Sequence, residues 1–266
     1  MYASRAPHAR DLIADLAAHG RHHFTAAELR AALRVSGAAA RRALSRLAAK
    51  GEIASPARGF HVIVPPEYRR LGCLPADQFI PSLMEHRRVP YYAGLLSAAQ
   101  YHGSAHHRPQ AFQIVLGRSR PAIACGSVRV AFVARRNVGE VPVQNFNTPR
   151  GTILVSTVEA TALDLVGYMR HAGGVDRVAG VLSELGGEMD PERLVVAANS
   201  APVLWAQRLG YLLEHVGAGD RAVLLKEHVR KSARNFTKLI PSASADAAPR
   251  SRDWRLHVNA VVEPEA

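Results

Sequence analysis

The chain has 266 residues, of which 48% are hydrophobic, so it is long enough for two folded domains with a sizeable core. It has no apolar leader, no apolar run of about 18 residues and only two cysteines, which argues against a membrane-spanning helix or a disulfide framework. We therefore expect a protein of the cytoplasm. The formal net charge of +12 favours a polyanionic partner, although an arginine-rich coding bias would also raise this charge.

The positive charge is concentrated near the two ends of the sequence. Residues 1–70 contain twelve Lys and Arg against five Asp and Glu, a net charge of +7 in about a quarter of the chain. A second basic cluster consists of Lys226, Arg230, Lys231, Arg234 and Lys238. This cluster either contacts a DNA backbone as a secondary site, through Lys226, Arg230, Lys231 and Arg234, or is a solvated helix face.

Residues 11–49 have the pattern of three short helices. The first spans residues 11–19, and a second begins at Thr25, where Glu28 lies three positions on and completes a capping box. A break at residues 35–37 follows, and Ser36 is a suitable N-cap for the third helix. The third helix has an apolar stripe formed by Ala40, Ala43, Leu44 and Leu47.

The opposite face of the third helix carries basic residues and no acid. It consists of Arg41, Arg42, Ser45 and Arg46. Residues 51–54 and 60–64 follow as two short strands, with Arg58 in the turn between them. The order of capped helices, basic face and strand pair predicts a winged helix-turn-helix that binds DNA. The alternative is an amphipathic helix pair whose arginines only keep it in solution.

The remaining sequence indicates a second, mixed α/β domain. Residues 65–90 contain several prolines and are interpreted as a connecting segment with one short helix at most. A helix is predicted over 91–102, strands over 112–116, 127–133, 142–146 and 152–155, and then helices to residue 230. Residues 254–258 alternate in polarity, which predicts a return to the sheet. The predicted domains are 1–64, the connecting segment 65–90 and 91–266.

Candidate catalytic and metal-binding residues are few. His102, His106 and His107 have no acidic or cysteine partner nearby and do not define a metal site. Glu159 is assigned to a capping box with Ser156, and Asp164 is expected to lie near Arg170 or a backbone donor. No nuclease or nucleotidyltransferase arrangement of carboxylates, and no phosphate loop, is evident. We expect no catalytic residues, metal or cofactor.

Three stretches of the second domain resemble the AbiEi-type antitoxins of bacterial type IV toxin–antitoxin (abortive infection) systems. Residues 90–103 are similar to the family's entry helix, 154–165 to a segment where a strand turns into a helix, and 208–214 to a late helix. With the winged helix, the resemblance extends over about residues 5–235. The chain departs from the family at Val158, where a proline is usual, and has small residues at Ala160 and Ala162.

The resemblance implies an α+β protein: an N-terminal winged helix-turn-helix followed by an antitoxin domain with a small sheet and several helices. The winged helix is expected to bind inverted repeats upstream of its own operon and repress it, with the chain as monomer or weak dimer. The second domain is expected to counter a nucleotidyltransferase-like toxin. By position, Ser36 is expected to cap the reading helix against a phosphate, and Arg58 to be the wing contact. The alternatives are a stand-alone regulator whose second domain dimerises or senses a ligand, and a hidden nuclease.

Overall fold

The computed structural model describes residues 8–104 and 109–265 of the chain. Within these ranges, ten α-helices pack with three β-sheets, so the predicted α+β class is confirmed.

The N-terminal part has the element order of a winged helix-turn-helix. Its elements are α1 (Ala9–Ala18), β1 (His23–Thr25), α2 (Ala26–Leu33), α3 (Gly37–Ala49), β2 (Ile53–Ala57) and β3 (Phe60–Ile63). Strand β3 lies between β1 and β2 and is antiparallel to both. The sequence did not indicate β1, and β2 continues past Ala54, where the strand was predicted to end. A register shift between Ala54 and Ala57 accommodates Pro56, which has no N–H to donate.

Residues 65–90 contain a longer helix than the sequence indicated. Helix α4 spans Ala76–Arg87 and includes Pro81 in its interior. Phe79, Ile80 and Leu83 of this helix are buried in the core. The segment therefore contributes to the core as well as connecting the elements on either side of it.

A six-stranded mixed sheet forms the centre of the second part. Its strands are β4 (Tyr91–Ala93), β5 (Phe112–Leu116), β6 (Ile123–Cys125), β7 (Val128–Ala134), β8 (Val143–Thr148) and β9 (Gly151–Ser156). The spatial order is β6-β7-β5-β4-β9-β8, with β5–β7 and β4–β9 parallel and the other pairs antiparallel. The four predicted strands are confirmed, but the sheet is larger than expected because β4 and β6 were missed.

The prediction of one helix over 91–102 was wrong. The chain enters as strand β4, turns at Gly94, and only then forms α5 (Leu95–Tyr101). A side chain at Gly94 would bring its Cβ within 2.7 Å of Val115 Cγ2, so the turn needs a glycine. A strand of three residues is too short to show the alternation that distinguishes it from a helix start.

Five further helices follow. They are α6 (Val158–Gly167), α7 (Val175–Leu185), α8 (Pro191–Asn199), α9 (Val203–His215) and α10 (Val223–Ser232). Helix α6 packs against strand β9, while α7 to α10 pack on α6 and on one another. Asp190 caps α8, since its Oδ1 accepts the N–H groups of Glu192 and Arg193, each at 2.9 Å.

The last thirty residues form a small sheet of their own. It consists of β10 (Thr237–Lys238), β12 (Leu256–His257) and β11 (Arg250–Ser251), in that spatial order. The expectation that residues 254–258 return to the main sheet was therefore wrong. They are held instead by Trp254, which is fully buried against the helices.

One apolar cluster crosses the predicted boundary at residue 64. Phe60 and Val62 of the wing pack in the same cluster as Phe79 of α4 and Ile114 of β5. Phe24 belongs to a separate cluster inside the helix-turn-helix. The wing sheet is thus covered on both faces, and the division into domains at residues 64 and 90 stays a prediction.

Candidate nucleic-acid interface

The turn between α2 and α3 places α3 on the surface with a fixed orientation. Helix α2 begins with the predicted capping box: Glu28 N–H donates to Thr25 Oγ1 (3.1 Å), and Thr25 N–H donates to Glu28 Oε2 (2.6 Å). The helix ends at Arg34, which has a left-handed φ of 53°. Helix α3 then starts at Ser36, whose Oγ accepts the N–H of Ala39 at 3.3 Å. Both predicted caps are therefore present.

Helix α3 is amphipathic as predicted. Ala40, Ala43 and Leu47 are buried, and Leu44 is half-buried. The opposite side is exposed and consists of the residues proposed as DNA readers: Arg41, Arg42, Ser45 and Arg46, with Ser36 exposed at the helix start. The structure therefore brings these five residues onto one exposed helix.

The arginines on α3 have no acidic partner among the described residues, because the nearby acids are already engaged. Glu52 pairs with Arg10, and this bond holds the pKa of Glu52 below its ordinary value. Glu28 pairs with Arg21. Although burial raises the pKa of Glu28, the bonds from Arg21 and Thr25 lower it overall. The positive charge of α3 therefore remains available to an external anion.

The wing ends in a tight turn that presents one arginine. Arg58 is exposed at its tip, beside Gly59, whose φ of +75° is a conformation that favours glycine. The Gly59 carbonyl accepts the N–H of Ala26 at 3.1 Å, which ties the wing turn to the start of α2. Arg58 also has no acidic partner within the part of the chain that the structure describes.

Some members of the second basic cluster are engaged in ion pairs with acidic residues. Lys226 Nζ lies 2.6 Å from Glu214 Oε1 and 3.2 Å from Asp253 Oδ2, and these bonds raise the pKa of Lys226. Lys231 lies 3.9 Å from Glu227, one helical turn away. Arg230 and Arg234 are exposed and make no ion pair with any described residue. They are better placed than Lys226 to contact a DNA backbone.

A buried polar cluster in the second part was not foreseen. The guanidinium of Arg135 donates to the carboxylate of Asp164 and to the carbonyl of Ser200 (2.6 Å), and Asp164 Oδ2 accepts the hydroxyl of Tyr92 at 2.8 Å. Burial raises the pKa of Asp164 to about 6, against the opposing effect of Arg135. The expectation that Asp164 lies near Arg170 or a backbone donor was wrong. Its carboxylate instead contacts Arg135 and Tyr92, which are 29 and 72 positions away along the chain. No sequence pattern signals such a long-range pair.

The expected capping box at the start of α6 also needs correction. Its N-cap is Thr157, whose side chain accepts the N–H of Ala160 at 3.3 Å, so Ser156 and Glu159 do not form a capping box. Glu159 is buried and accepts the N–H of Asp190 at 3.2 Å. Ser156 Oγ lies 2.7 Å from Thr161 Oγ1 instead.

Of the three histidines considered as metal ligands, the structure describes only His102. His102 Nε2 donates to the carbonyl of Ser156 at 2.7 Å, and burial lowers the pKa of His102. His106 and His107 lie outside the described residues. Within 8–104 and 109–265, no three His, Cys, Asp or Glu side chains are close enough to hold a metal ion. No helix in these ranges is both long and apolar enough to cross a bilayer.

Comparison with known proteins identifies the second part. Residues 92–215 match the family model described as the AbiEi antitoxin C-terminal domain. This part of the chain is an AbiEi antitoxin domain. All three stretches that carry the resemblance lie in or at the edge of the matched range, so the predicted family is confirmed. No curated protein matches the sequence at a significant level.

The whole chain is also similar in fold to a solved protein. The crystal structure of the RV2827C protein from Mycobacterium tuberculosis aligns with a TM-score of 0.65 and 18% sequence identity. The alignment covers 95% of this chain and 92% of that protein. The two therefore share an architecture that includes the N-terminal part as well as the AbiEi domain.

Proposed function

We propose that this chain is a type IV antitoxin that binds inverted repeats upstream of its own operon and represses transcription. Its AbiEi domain counters a nucleotidyltransferase-like toxin encoded in the same operon, and neither activity requires catalysis or a cofactor. The observation that carries the DNA-binding half is the exposed face of α3, where Arg41, Arg42 and Arg46 have no acidic partner among the described residues. The AbiEi family match supports the antitoxin half.

The residues on α3 suit the two parts of DNA recognition. Ser36 and the first N–H groups of α3 suit a backbone phosphate, since helix N-termini attract anions. Arg41, Arg42 and Arg46 are long enough to reach base edges in the major groove, where a bidentate arginine–guanine pair contributes about 1–3 kcal/mol of discrimination. Arg58 of the wing is proposed to contact the adjacent backbone. Each chain then contributes one winged helix per half-repeat.

The first experiment measures operator binding by fluorescence anisotropy. The duplex just upstream of the gene is compared with a scrambled duplex of the same composition over a salt series. We expect tighter binding to the native duplex at about 150 mM salt, because salt at this concentration weakens the non-specific attraction between the basic residues and the phosphates. Equal affinity for both duplexes, with a steep salt dependence, would show that net charge alone explains the binding.

Arginine variants test which surface reads the DNA. We expect Arg41→Ala and Arg42→Ala each to weaken binding to the native duplex by about 1–3 kcal/mol if they contact bases, and to lower the salt slope by about 1 if they contact phosphates. Arg193→Ala is the matched control, because Arg193 is exposed on α8, in the AbiEi domain. An equal loss in the Arg193 variant would place the DNA surface elsewhere. Arg230→Ala with Arg234→Ala should weaken binding to both duplexes alike.

Co-expression with the adjacent gene tests the antitoxin half. We expect the wild-type chain to relieve the growth arrest caused by that gene, and Arg41→Ala to relieve it equally. Relief by the wild type but not by a folded Arg41 variant would contradict the division of labour between α3 and the AbiEi domain. Operator binding without any relief would instead support a regulator that has no toxin partner.

A further inference from the structure

The two cysteines of the chain meet beneath the wing. Cys73 and Cys125 are the only cysteines in the sequence, and their separation along the chain gave no reason to expect contact. Cys73 lies in the segment between the wing and α4, and Cys125 is the last residue of the edge strand β6. Both are buried in the same apolar cluster, and the glycines next to them are in contact, since a Cβ on Gly72 would lie 3.1 Å from the Gly126 Cα.

The backbone segments that flank the two cysteines contact each other directly. Ser127 N–H donates to the Leu71 carbonyl at 2.7 Å. A Cβ on Gly126 would lie 2.0 Å from the Leu71 carbonyl oxygen, so the segments touch through their backbones at this point. A disulfide requires Cα atoms within about 4.4–6.8 Å and Cβ atoms within about 3.5–4.5 Å. Because the residues next to the two cysteines are in direct backbone contact, Cys73 and Cys125 are within reach of this geometry.

The surroundings make the two thiols unequal. The hydrogen bond from Cys73 lowers the pKa of Cys125, with further help from the backbone of Ser55, and outweighs the effect of burial. The same bond and burial raise the pKa of Cys73. Cys125 is 8% exposed, and its neighbours Gly126 and Ser127 are at the surface. Cys125 is therefore the thiol with thiolate character and the one a small oxidant reaches first.

We propose that Cys73 and Cys125 are a modification site, at which hydrogen peroxide drives reversible formation of an intramolecular disulfide. The Cys125 thiolate attacks one peroxide oxygen, the O–O bond breaks, and the departing hydroxide takes up a proton to form water. The Cys73 sulfur then attacks the sulfenic sulfur of Cys125. The S–S bond forms, the S–O bond breaks, and the hydroxyl leaves as water with the proton of Cys73. Two thiols are oxidised and one peroxide is reduced, and a dithiol reverses the change.

The position of the site connects it to the wing. Ser55, on wing strand β2, provides the backbone hydrogen bond to Cys125, and β2 packs directly against β6. The disulfide would close the chain from residue 73 to 125 and fix the end of the connecting segment to β6. We therefore expect slower hydrogen exchange in residues 66–75 of the oxidised chain.

The test uses the full-length reduced protein and hydrogen peroxide, and it does not depend on DNA binding. After denaturing alkylation, we expect mass spectrometry to show loss of both alkylation sites and a tryptic peptide pair linked through Cys73 and Cys125. Dithiothreitol should restore both sites. Two thiols that stay alkylatable, or links only between chains, would overturn the proposal.

Single variants separate the roles of the two sulfurs. Cys73→Ser leaves Cys125 without its partner, so dimedone should trap a sulfenic acid there. Cys125→Ser should leave Cys73 reduced under the same treatment. Equal oxidation of Cys73 in the Cys125 variant would contradict the proposed order of reaction. The wild-type result stands on its own if either variant fails to fold.

Discussion

Gly210 in the middle of α9 offers a sharp test of the packing between the AbiEi domain and the C-terminal tail. A glycine in a helix interior ordinarily costs about 1 kcal/mol relative to alanine, so Gly→Ala usually stabilises. At Gly210, however, an added Cβ would lie 2.0 Å from Cζ3, 2.2 Å from Cη2 and 2.4 Å from Cε3 of Trp254. We therefore predict that Gly210→Ala destabilises the protein.

The magnitude follows from how firmly Trp254 is held. Carbon atoms in ordinary contact are about 3.5–4.0 Å apart, so the indole would have to retreat by more than about 1 Å. The ring is fully buried, its Nε1–H donates to Glu214 Oε2 at 2.7 Å, and Lys226 Nζ lies 5.3 Å from its centroid. Overpacking of this kind costs about 1–3 kcal/mol or somewhat more, which exceeds the helix-propensity gain. We expect a loss of about 2 kcal/mol and a fall in Tm of about 4–8 °C.

A double-mutant cycle followed by urea and thermal melts isolates the contact. Trp254→Leu removes all three clashing atoms, so Gly210→Ala should become neutral or stabilising by about 1 kcal/mol in that background. Gly187→Ala is the control, because a Cβ there meets no atom within 4 Å. A higher Tm for Gly210→Ala in the wild-type chain, or the same loss in both backgrounds, would refute the reasoning.

Two further predictions concern the buried ion pair and the helix caps. Arg135→Met leaves the Asp164 carboxyl buried without its cation, so the pKa of Asp164, already raised to about 6 by burial, should rise further. The unfolded-state pKa of this carboxyl is about 3.9, so a higher folded-state pKa means that the folded protein loses stability as pH rises through the folded pKa. Urea melts should therefore show that the free energy of unfolding lost in the variant grows from pH 5 to pH 8, to about 3–5 kcal/mol. Thr25→Ala and Ser36→Ala should each cost about 1 kcal/mol of stability as lost N-caps, but only Ser36→Ala should also weaken operator binding in the anisotropy assay. Equal DNA affinities for the two cap variants would remove Ser36 from the proposed interface.

The sequence alone predicted those features of the fold that depend on residues close to one another along the chain. The caps at Thr25 and Ser36, the amphipathic α3 and most strands and helices of the second part depend on spacings of two to four residues, which a sequence displays directly. The same reasoning placed a capping box at Ser156 and Glu159, where the pattern fits equally well. There the structure uses Glu159 to bind the backbone of Asp190, a partner 31 positions away.

What could not be predicted depends on partners brought together by the fold. Tyr92, Arg135 and Asp164 form one buried cluster, and Cys73 and Cys125 lie in one apolar cluster, although each pair is separated by tens of residues. The predicted DNA readers, by contrast, lie on a single helix, so their shared exposure followed from helical periodicity alone.

The residues that make the AbiEi domain recognisable hold it together internally. In the late stretch, Arg208 Nε donates to the Lys238 carbonyl at 2.9 Å, Gly210 accommodates Trp254, and Glu214 accepts the indole N–H. This stretch therefore holds the C-terminal tail from residue 237 onwards in place.

The two earlier stretches are joined in the same way, through the bond from Tyr92 to Asp164. Because all these groups are buried or engaged, their substitution lowers stability throughout the domain and would abolish toxin relief whatever surface the toxin meets. Loss of relief in such a variant is therefore no evidence of a toxin contact. Only exposed residues, changed in a chain whose melting temperature is unaltered, can locate that surface.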